Sequence, residues 1–484
     1  NMRGRVQNFE RDDAEVPSGK RARNYRMLPK VWREAGEKHE KFAKRAHAMG
    51  ANETACYHYD HAIESYRMAQ HPIYFDNHPV KKYLYKKMSE MVDLRSKVAS
   101  YPIERVEIPF DDGKTISCLF HLLPDRRKAP VVIYVPGMDQ TKEVFPKAFH
   151  NIALSRGFHV IAIDGPGQGN SNMQKIRSVG DNYERAGAAV ITYLQKRKEV
   201  DKKKIAIYGI SMGSYWCLRL SSYDHRAAAV VSSVACFNPN NTIFTQSSPR
   251  FKQMFMYMAG YDDEAKFDKE VAQGMTVRGY LGKVKCPTLL VTGEFDPLCP
   301  LEDAVEAFGD LKVPKEMWVI ENQYHPLWGL PNFGGMDCHD YVMDWLKLLF
   351  SGKRVSALRL TAGAAVSYAL FAVGSGQSGS TALALLFVSR LFAGICGANI
   401  TVAQAYIADI TPPEERSKRM GLVGMAFGLG FIFEKTVTGF ISSQTHIAAC
   451  HFDFFFEMHE TISASPDFQC GYFQRRFRLH GISS

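Results

Sequence analysis

No basic start followed by a short apolar stretch opens the 484-residue sequence, so no secretory leader is read at its beginning. Ten cysteines fall at scattered positions without paired spacing, a pattern that predicts reduced thiols in a cytoplasmic setting rather than a disulfide framework. In that setting Asn-x-Thr matches such as Asn52-Glu53-Thr54 are not expected to carry glycan. Excess charge is also scarce. Sixty Lys and Arg against fifty Asp and Glu leave a net +10 over the whole chain. Bases alternate with acids and no nucleic-acid motif accompanies them, which excludes a nucleic-acid partner. His58 and His61, three apart on one predicted helix face, lack a third ligand at suitable spacing. They read as an ordinary helix face, and neither a metal nor a cofactor is expected.

What is present begins with Gly209-Ile210-Ser211-Met212-Gly213, which directly follows the apolar run Ile205 to Tyr208. A serine hydroxyl is a weak nucleophile unless it is lifted clear of its surroundings beside a base, and a sharp strand-to-helix turn does this. Glycines at both flanks let such a turn form where a side chain would crowd it. Further short apolar runs rich in β-branched residues occur at Val131 to Val135, Phe158 to Ile163, Ala228 to Val234, Thr288 to Thr292 and Met317 to Ile320. They lack polar alternation and are separated by helix-length segments, as strands buried on both faces require. The class is therefore α/β, a doubly wound and mainly parallel sheet. Arg105 to Pro109 and Thr115 to Leu122 flank Asp111-Asp112-Gly113 and predict an antiparallel hairpin at its edge.

Partners of Ser211 should lie on loops after later strands, in the chain order serine, acid, histidine. Gly293-Glu294-Phe295-Asp296-Pro297 and Gln323-Tyr324-His325-Pro326 occupy those places. Asp296 would orient His325, and His325 would take the Ser211 proton and return it to the leaving group. Glu294 competes for the acid role from a position nearer the strand end. An oxyanion hole needs two backbone N–H groups, here Met212 after the nucleophile and Met138 in Pro136-Gly137-Met138-Asp139-Gln140-Thr141-Lys142-Glu143. Asp139 reads as a cap for a helix that follows it.

These stretches, with Asp164-Gly165-Pro166-Gly167-Gln168-Gly169, resemble the α/β-hydrolase superfamily over residues 25 to 350. More narrowly they resemble the branch with an amino-terminal helical domain, which includes FrsA-like proteins, polyketide-shortening hydrolases and 2,6-dihydroxypseudooxynicotine hydrolase. The resemblance implies hydrolysis of a carboxylic ester, or of a carbon–carbon bond beside a ketone, in a small acyl or β-keto substrate. A prolyl-oligopeptidase-like peptidase shares the elbow, but no propeller-length repeat region accompanies it here.

The expected organisation is a disordered segment at 1–25, a helical cap domain at 26–100 and the hydrolase domain at 101–352. Within the last, a lid-like insertion is expected at 237–285. Its cluster of Met254, Phe255, Met256, Tyr257 and Met258 suits a pocket wall and ordinary core packing equally. From Val355 the composition turns apolar. Leu358 to Gly374 and Thr381 to Ile407 are long enough to span a bilayer, and Gly421 to Phe433 would start another span. Arg359 lies where it would snorkel, and Arg390 sits inside the second stretch. Residues 355–434, with a loop carrying Arg416, Lys418 and Arg419, resemble a fragment of tetracycline-resistance-type transporters of the major facilitator superfamily. The match spans about three helices and breaks after Phe433, which leaves 435–484 as an unassigned tail. Two readings follow: a hydrolase tethered to a membrane, with a transporter-related module, or a join of unrelated reading frames.

Overall fold

The computed structural model describes residues 25–325, 327 and 337–352, with isolated positions at 373, 384, 385 and 388. The sequence readings for 1–24, for the apolar stretches of 355–434 with Arg359 and Arg390, and for 435–484 lie outside the described residues, those isolated positions apart. The chain divides into two compact units, Asn1–Arg354 and Val355–Ser484, and the helices and strands named below belong to the first. Among the described residues no helix is long and apolar enough to cross a membrane.

Three helices come first: α1 (Leu28–Ala48), α2 (Asn52–Gln70) and α3 (Pro79–Val98). Pro79 opens α3, a position where the missing N–H costs nothing and the fixed φ suits the helix. Trp32, Ala35 and Ala43 of α1 pack with Tyr59, Ile63 and Tyr66 of α2 and with Leu84, Met88 and Val92 of α3 in one apolar core. Gly36 lets the Tyr66 ring lie against the α1 backbone, since a Cβ there would sit 2.9 Å from the ring. Asp60 is buried between the Arg95 guanidinium at 3.0 Å and the Phe149 N–H at 2.9 Å. One carboxylate thus joins α2 to α3 and to the loop at Phe149.

The sheet follows: β1 (Ile103–Pro109), β2 (Thr115–His121), β3 (Ala129–Val135), β4 (His159–Ile163), then α4 (Gly169–Met173) and α5 (Asn182–Lys196). After these come β5 (Val200–Ile210), α6 (Met212–Tyr223), β6 (Ala229–Ser233), α7 (Pro249–Ala259), α8 (Glu264–Glu270), β7 (Thr288–Gly293), α9 (Leu301–Asp310), β8 (Lys315–Ile320) and α10 (Cys338–Phe350). The eight strands lie in the order β1-β2-β4-β3-β5-β6-β7-β8. Only β1–β2 and β2–β4 pair antiparallel. The hairpin turn takes Asp112 to φ 54° and Gly113 to φ 72°, as a tight connection demands.

Strands β4, β6 and β7 are buried along their whole length, and β3 nearly so, in keeping with their uninterrupted apolarity. At the sheet's far edge β8 is half-buried, and the charged Lys315 and Glu316 at its start fit that position. The register places Tyr134 beside Tyr208 and Gly209 beside Ser232, which brings the ends of β3, β5 and β6 to one level.

One sequence reading is overturned. No helix follows Asp139: residues 141–153 run as turns and bends, so there is nothing for its side chain to cap. Pro146 lies in this stretch, and the residue before a proline is steered away from helical backbone.

Candidate active site

Strand β5 runs straight into Ser211, and α6 begins one residue later. Ser211 adopts φ 54° and ψ −126°, a conformation that costs a non-glycine residue about 1–3 kcal/mol and persists only where neighbours hold it. Its N–H donates to the Ser233 carbonyl at 2.9 Å, and its carbonyl accepts from the Ser214 hydroxyl at 2.5 Å. Neither flanking glycine has room for a side chain. A Cβ at Gly209 would collide with the Gly213 carbonyl, and one at Gly213 with the Val135 carbonyl.

Ser211 Oγ lies 2.7 Å from His325 Nε2, and His325 Nδ1 lies 2.8 Å from Asp296 Oδ2. The loops after β5, β7 and β8 supply these three side chains. Asp296 is buried, and its second oxygen accepts the Leu298 N–H at 2.9 Å, which fixes the carboxylate plane. Burial alone would lower the His325 pKa, but the Asp296 carboxylate outweighs it and the pKa rises to about 9. Glu294, the competing acid, is turned elsewhere and accepts the Asn322 N–H at 2.8 Å.

Met212 is the first residue of α6, so its N–H has no carbonyl from a preceding turn. Met138 is buried on the loop after β3, next to Gly137. A Cβ on Gly137 would stand 3.1 Å from the Ser211 Cβ, which measures how closely this loop approaches the serine. Three anchors hold the loop, two reaching it from outside its own sequence and one from Lys142 within it. Gln168 Nε2 donates to the Pro136 and Gly137 carbonyls at 3.0 and 2.7 Å. Arg67, from α2, donates to the Asp139 carbonyl at 2.6 Å while paired with Glu64. Lys142 is fully buried with its ammonium 2.6 Å from Asp164 and 2.9 Å from Glu143. Asp164 also accepts the N–H groups of Lys142 and Asn170 at 2.9 and 2.8 Å. That arrangement explains the Asp-Gly-Pro-Gly-Gln-Gly stretch: Asp164 and Gln168 do the anchoring, and a Cβ on Gly169 would collide with the Asp164 carboxylate.

A small cleft opens beside Met138, between α2–α3 and the loops at the sheet's end. Tyr74, Tyr85, Met254, Tyr257 and Met258 give it aromatic and thioether walls. Its lining includes Met138, next to Gly137, but none of Ser211, Asp296 and His325. Of the methionine-rich cluster, Phe255 turns inward instead, against Trp216, Phe244 and Phe267. Both readings of that cluster therefore apply, to alternate faces of α7. Lys81 reaches the cleft with its ammonium donating to the Ile73 carbonyl at 2.7 Å and lying 4.8 Å from the Tyr257 ring centroid. Burial lowers its pKa to about 8.

Away from this site His58 gains a neighbour that spacing along one helix could not reveal. His39 of α1 lies 3.1 Å from it through Nδ1 and stacks on His61 with centroids 5.0 Å apart. Burial and the neighbouring imidazoles lower the His39 pKa to about 4. The three imidazoles pack ring against ring where α1 meets α2.

A nearly parallel eight-stranded sheet with a strained serine between strand and helix is the architecture of the α/β-hydrolase fold. Comparison with known proteins agrees. Residues 146–352 match the Prolyl oligopeptidase family and residues 345–454 the Major Facilitator Superfamily. The second match starts inside α10, whose Trp345 and Leu346 belong to the core under the sheet. The 2,6-dihydropseudooxynicotine hydrolase of Paenarthrobacter nicotinovorans is 26% identical over 288 residues, 56% of this chain and 72% of its own. The 20-hydroxy-prefusarin hydrolase of Gibberella moniliformis is 25% identical over 342 residues, 60% of this chain and 80% of its own. The crystal structure of the 2,6-dihydroxy-pseudo-oxynicotine hydrolase superposes with a TM-score of 0.60 at 24% identity, covering 70% of this chain and 93% of that one. The chain thus has the α/β-hydrolase fold and is similar in sequence to these hydrolases.

Proposed function

We propose that the chain is a serine hydrolase that cleaves a small acyl or β-keto substrate through a covalent acyl-enzyme. The observation that carries this is the unbroken relay from Ser211 Oγ to His325 Nε2 at 2.7 Å and from His325 Nδ1 to Asp296 at 2.8 Å. Ser211 Oγ attacks the substrate carbonyl as its proton passes to His325 Nε2. The oxyanion that forms lies between the N–H groups of Met138 and Met212. Collapse breaks either the C–O bond of an ester or the C–C bond to a carbon bearing a second ketone. His325 gives its proton to the departing alkoxide or enolate, and water, deprotonated by the same imidazole, then releases the acid and restores Ser211.

Helices α2 and α3 and the segment 237–285 form the walls that select the acyl group, with Tyr74, Tyr85 and Tyr257 suited to a flat ring. The substrate class is tested with p-nitrophenyl esters and aryl β-diketones side by side. Turnover of either series, lost in Ser211→Ala, supports the reading. Turnover of peptide amides alone would replace it with a peptidase, the activity named by the family matched at residues 146–352.

The His325 titration gives a second expected result. The base must be neutral, so kcat/KM rises with pH through the His325 pKa, toward about 9. Asp296→Asn removes the charge that raises this pKa and moves the limb to lower pH, with kcat reduced about 10⁴-fold. A limb that does not move would separate Asp296 from His325. Because the folded pKa exceeds the unfolded one, the pair stabilises the fold fully below about pH 6.5, and that contribution is lost as pH climbs through 9.

A further inference from the structure

Lys81, in the first turn of α3, is a cation only 6% exposed. Its ammonium donates to the Ile73 carbonyl at 2.7 Å and lies 4.8 Å from the Tyr257 ring centroid. An ammonium carries three donors, and among the described residues no second acceptor and no ion-pair partner reaches this one. Asp76, the carboxylate whose charge acts on it, is paired with Arg177 at 2.6 Å instead. Tyr85 lies one turn further along the same face of α3. Its hydroxyl is buried and makes no hydrogen bond. The charge of Lys142 acts on it from beyond hydrogen-bond reach, and that ammonium is held by Asp164 and Glu143. Burial keeps the Tyr85 pKa well above its ordinary value, so the group remains a donor. Lys81 and Tyr85 both line the small cleft beside Met138. Asp139, the carboxylate in that lining, is exposed to solvent and lies in the field of Arg67, and burial keeps His71 neutral.

We propose that Lys81 and Tyr85 form a subsite for a carboxylate carried by the substrate, so that the enzyme prefers acyl groups bearing a carboxylate to their neutral analogues. A buried ammonium and a buried hydroxyl without acceptors destabilise the fold, and a ligand that supplies them is bound for that reason. A carboxylate accepts from both donors, one oxygen to each, and brings the negative charge that the Ile73 carbonyl and the Tyr257 ring do not. A neutral carbonyl would satisfy the hydrogen bonds and leave the charge. The group is compact enough for a small cleft, and the rings of Tyr74 and Tyr257 suit an apolar body next to it. Met138, the proposed oxyanion donor, lines the same cleft, and a Cβ on its neighbour Gly137 would stand 3.1 Å from the Ser211 Cβ. The carboxylate subsite and the reacting carbonyl therefore share the Met138 loop as a wall.

The substrate preference rests on Ser211 being the nucleophile; binding does not, so the two are read separately. The full chain is assayed on the p-nitrophenyl monoesters of adipic and isophthalic acids and on the matching p-nitrophenyl methyl diesters, which lack only the charge. For at least one of the two acids, kcat/KM is expected to exceed that of its diester about tenfold or more, chiefly through KM. Lys81→Met is expected to bring that ratio to about one, Tyr85→Phe to lower it a few fold, and Lys81→Arg to keep most of it. In Ser211→Ala, which leaves the ligand intact, calorimetry with monomethyl adipate and monomethyl isophthalate reads the subsite directly. Binding of at least one acid is expected there and its loss in Ser211→Ala/Lys81→Met. Should Lys81→Met not fold, as circular dichroism would show, Tyr85→Phe takes its place in both arms. Equal turnover of acid and diester overturns the proposal. So does a ratio that survives Lys81→Met while both esters slow alike, since the lysine would then only hold the Ile73 carbonyl. Equal calorimetric binding with and without Lys81, or none in either protein, overturns it as well. A wild type that turns over no ester defeats the serine reading for these substrates and leaves calorimetry to decide the subsite.

Discussion

Replacing Ser211 with alanine is expected to lower kcat by about 10⁶-fold on any substrate the chain turns over, with KM little changed and thermal unfolding unaltered. Oγ makes one bond, to His325 at 2.7 Å, and the backbone of the elbow is held by other groups. The Ser233 carbonyl fixes the amide, the Ser214 hydroxyl fixes the carbonyl, and the two glycines leave no alternative path for the chain. Removing the hydroxyl therefore removes chemistry without removing the turn. What remains is the rate obtained from binding and the oxyanion donors alone, about 10³–10⁴ over water in related arrangements. A fall of only a few fold, measured as initial rates on the same substrate, would mean that another group attacks the carbonyl.

Lys142→Met is expected to destabilise the fold by about 3–5 kcal/mol, because it strands two buried carboxylates whose shared cation is gone. Asp164 and Glu143 are both inaccessible, and the Lys142 ammonium bridges them at 2.6 and 2.9 Å. Burial lowers the pKa of that ammonium, but the two acids reverse the effect and hold it well above its ordinary value, so the group is charged. Burial pushes the Asp164 carboxyl up, opposed by Lys142. Without the lysine that opposition ends, and Asp164 binds a proton in the folded state at pH values where the unfolded chain has lost it. Stability of the variant must then fall as pH rises, so its deficit grows from acid to neutral pH. Chemical denaturation at two pH values measures this. A deficit that shrinks toward neutral pH would show that Asp164 does not take up that proton. The loop carrying Met138 depends on the same anchors, so the variant should also lose turnover before it loses its secondary structure.

The strands that carry the site were legible because burial on both faces leaves an uninterrupted apolar signature, as at Val131 to Val135 and Thr288 to Thr292. Ser211 and Asp296 could be proposed because each follows such a run within a few residues, and His325 because it follows the half-buried β8 in the chain order a triad requires. The groups around them could not. Arg67 reaches the Asp139 carbonyl across 72 residues, and Gln168 reaches the Gly137 carbonyl across 31. No local period encodes contacts of that kind. His39 escaped for the same reason, since it lies on a different helix from His58. The helix expected after Asp139 failed on a signal that was present: Pro146 lies in the stretch that would have formed it. Cys236 and Cys299 were read only as scattered thiols, because their meeting depends on β6 and β7 being neighbours in the sheet.

Central to this account is Ser211 as the nucleophile, and covalent trapping tests that most directly. The intact chain is treated with a fluorophosphonate, digested and mapped by mass spectrometry. The account predicts a single phosphonylated site, on the peptide containing Gly209 to Gly213, formed in the wild type and absent from Ser211→Ala and, on the same time scale, from His325→Ala. An adduct on a different serine, or unchanged labelling in Ser211→Ala, would contradict it.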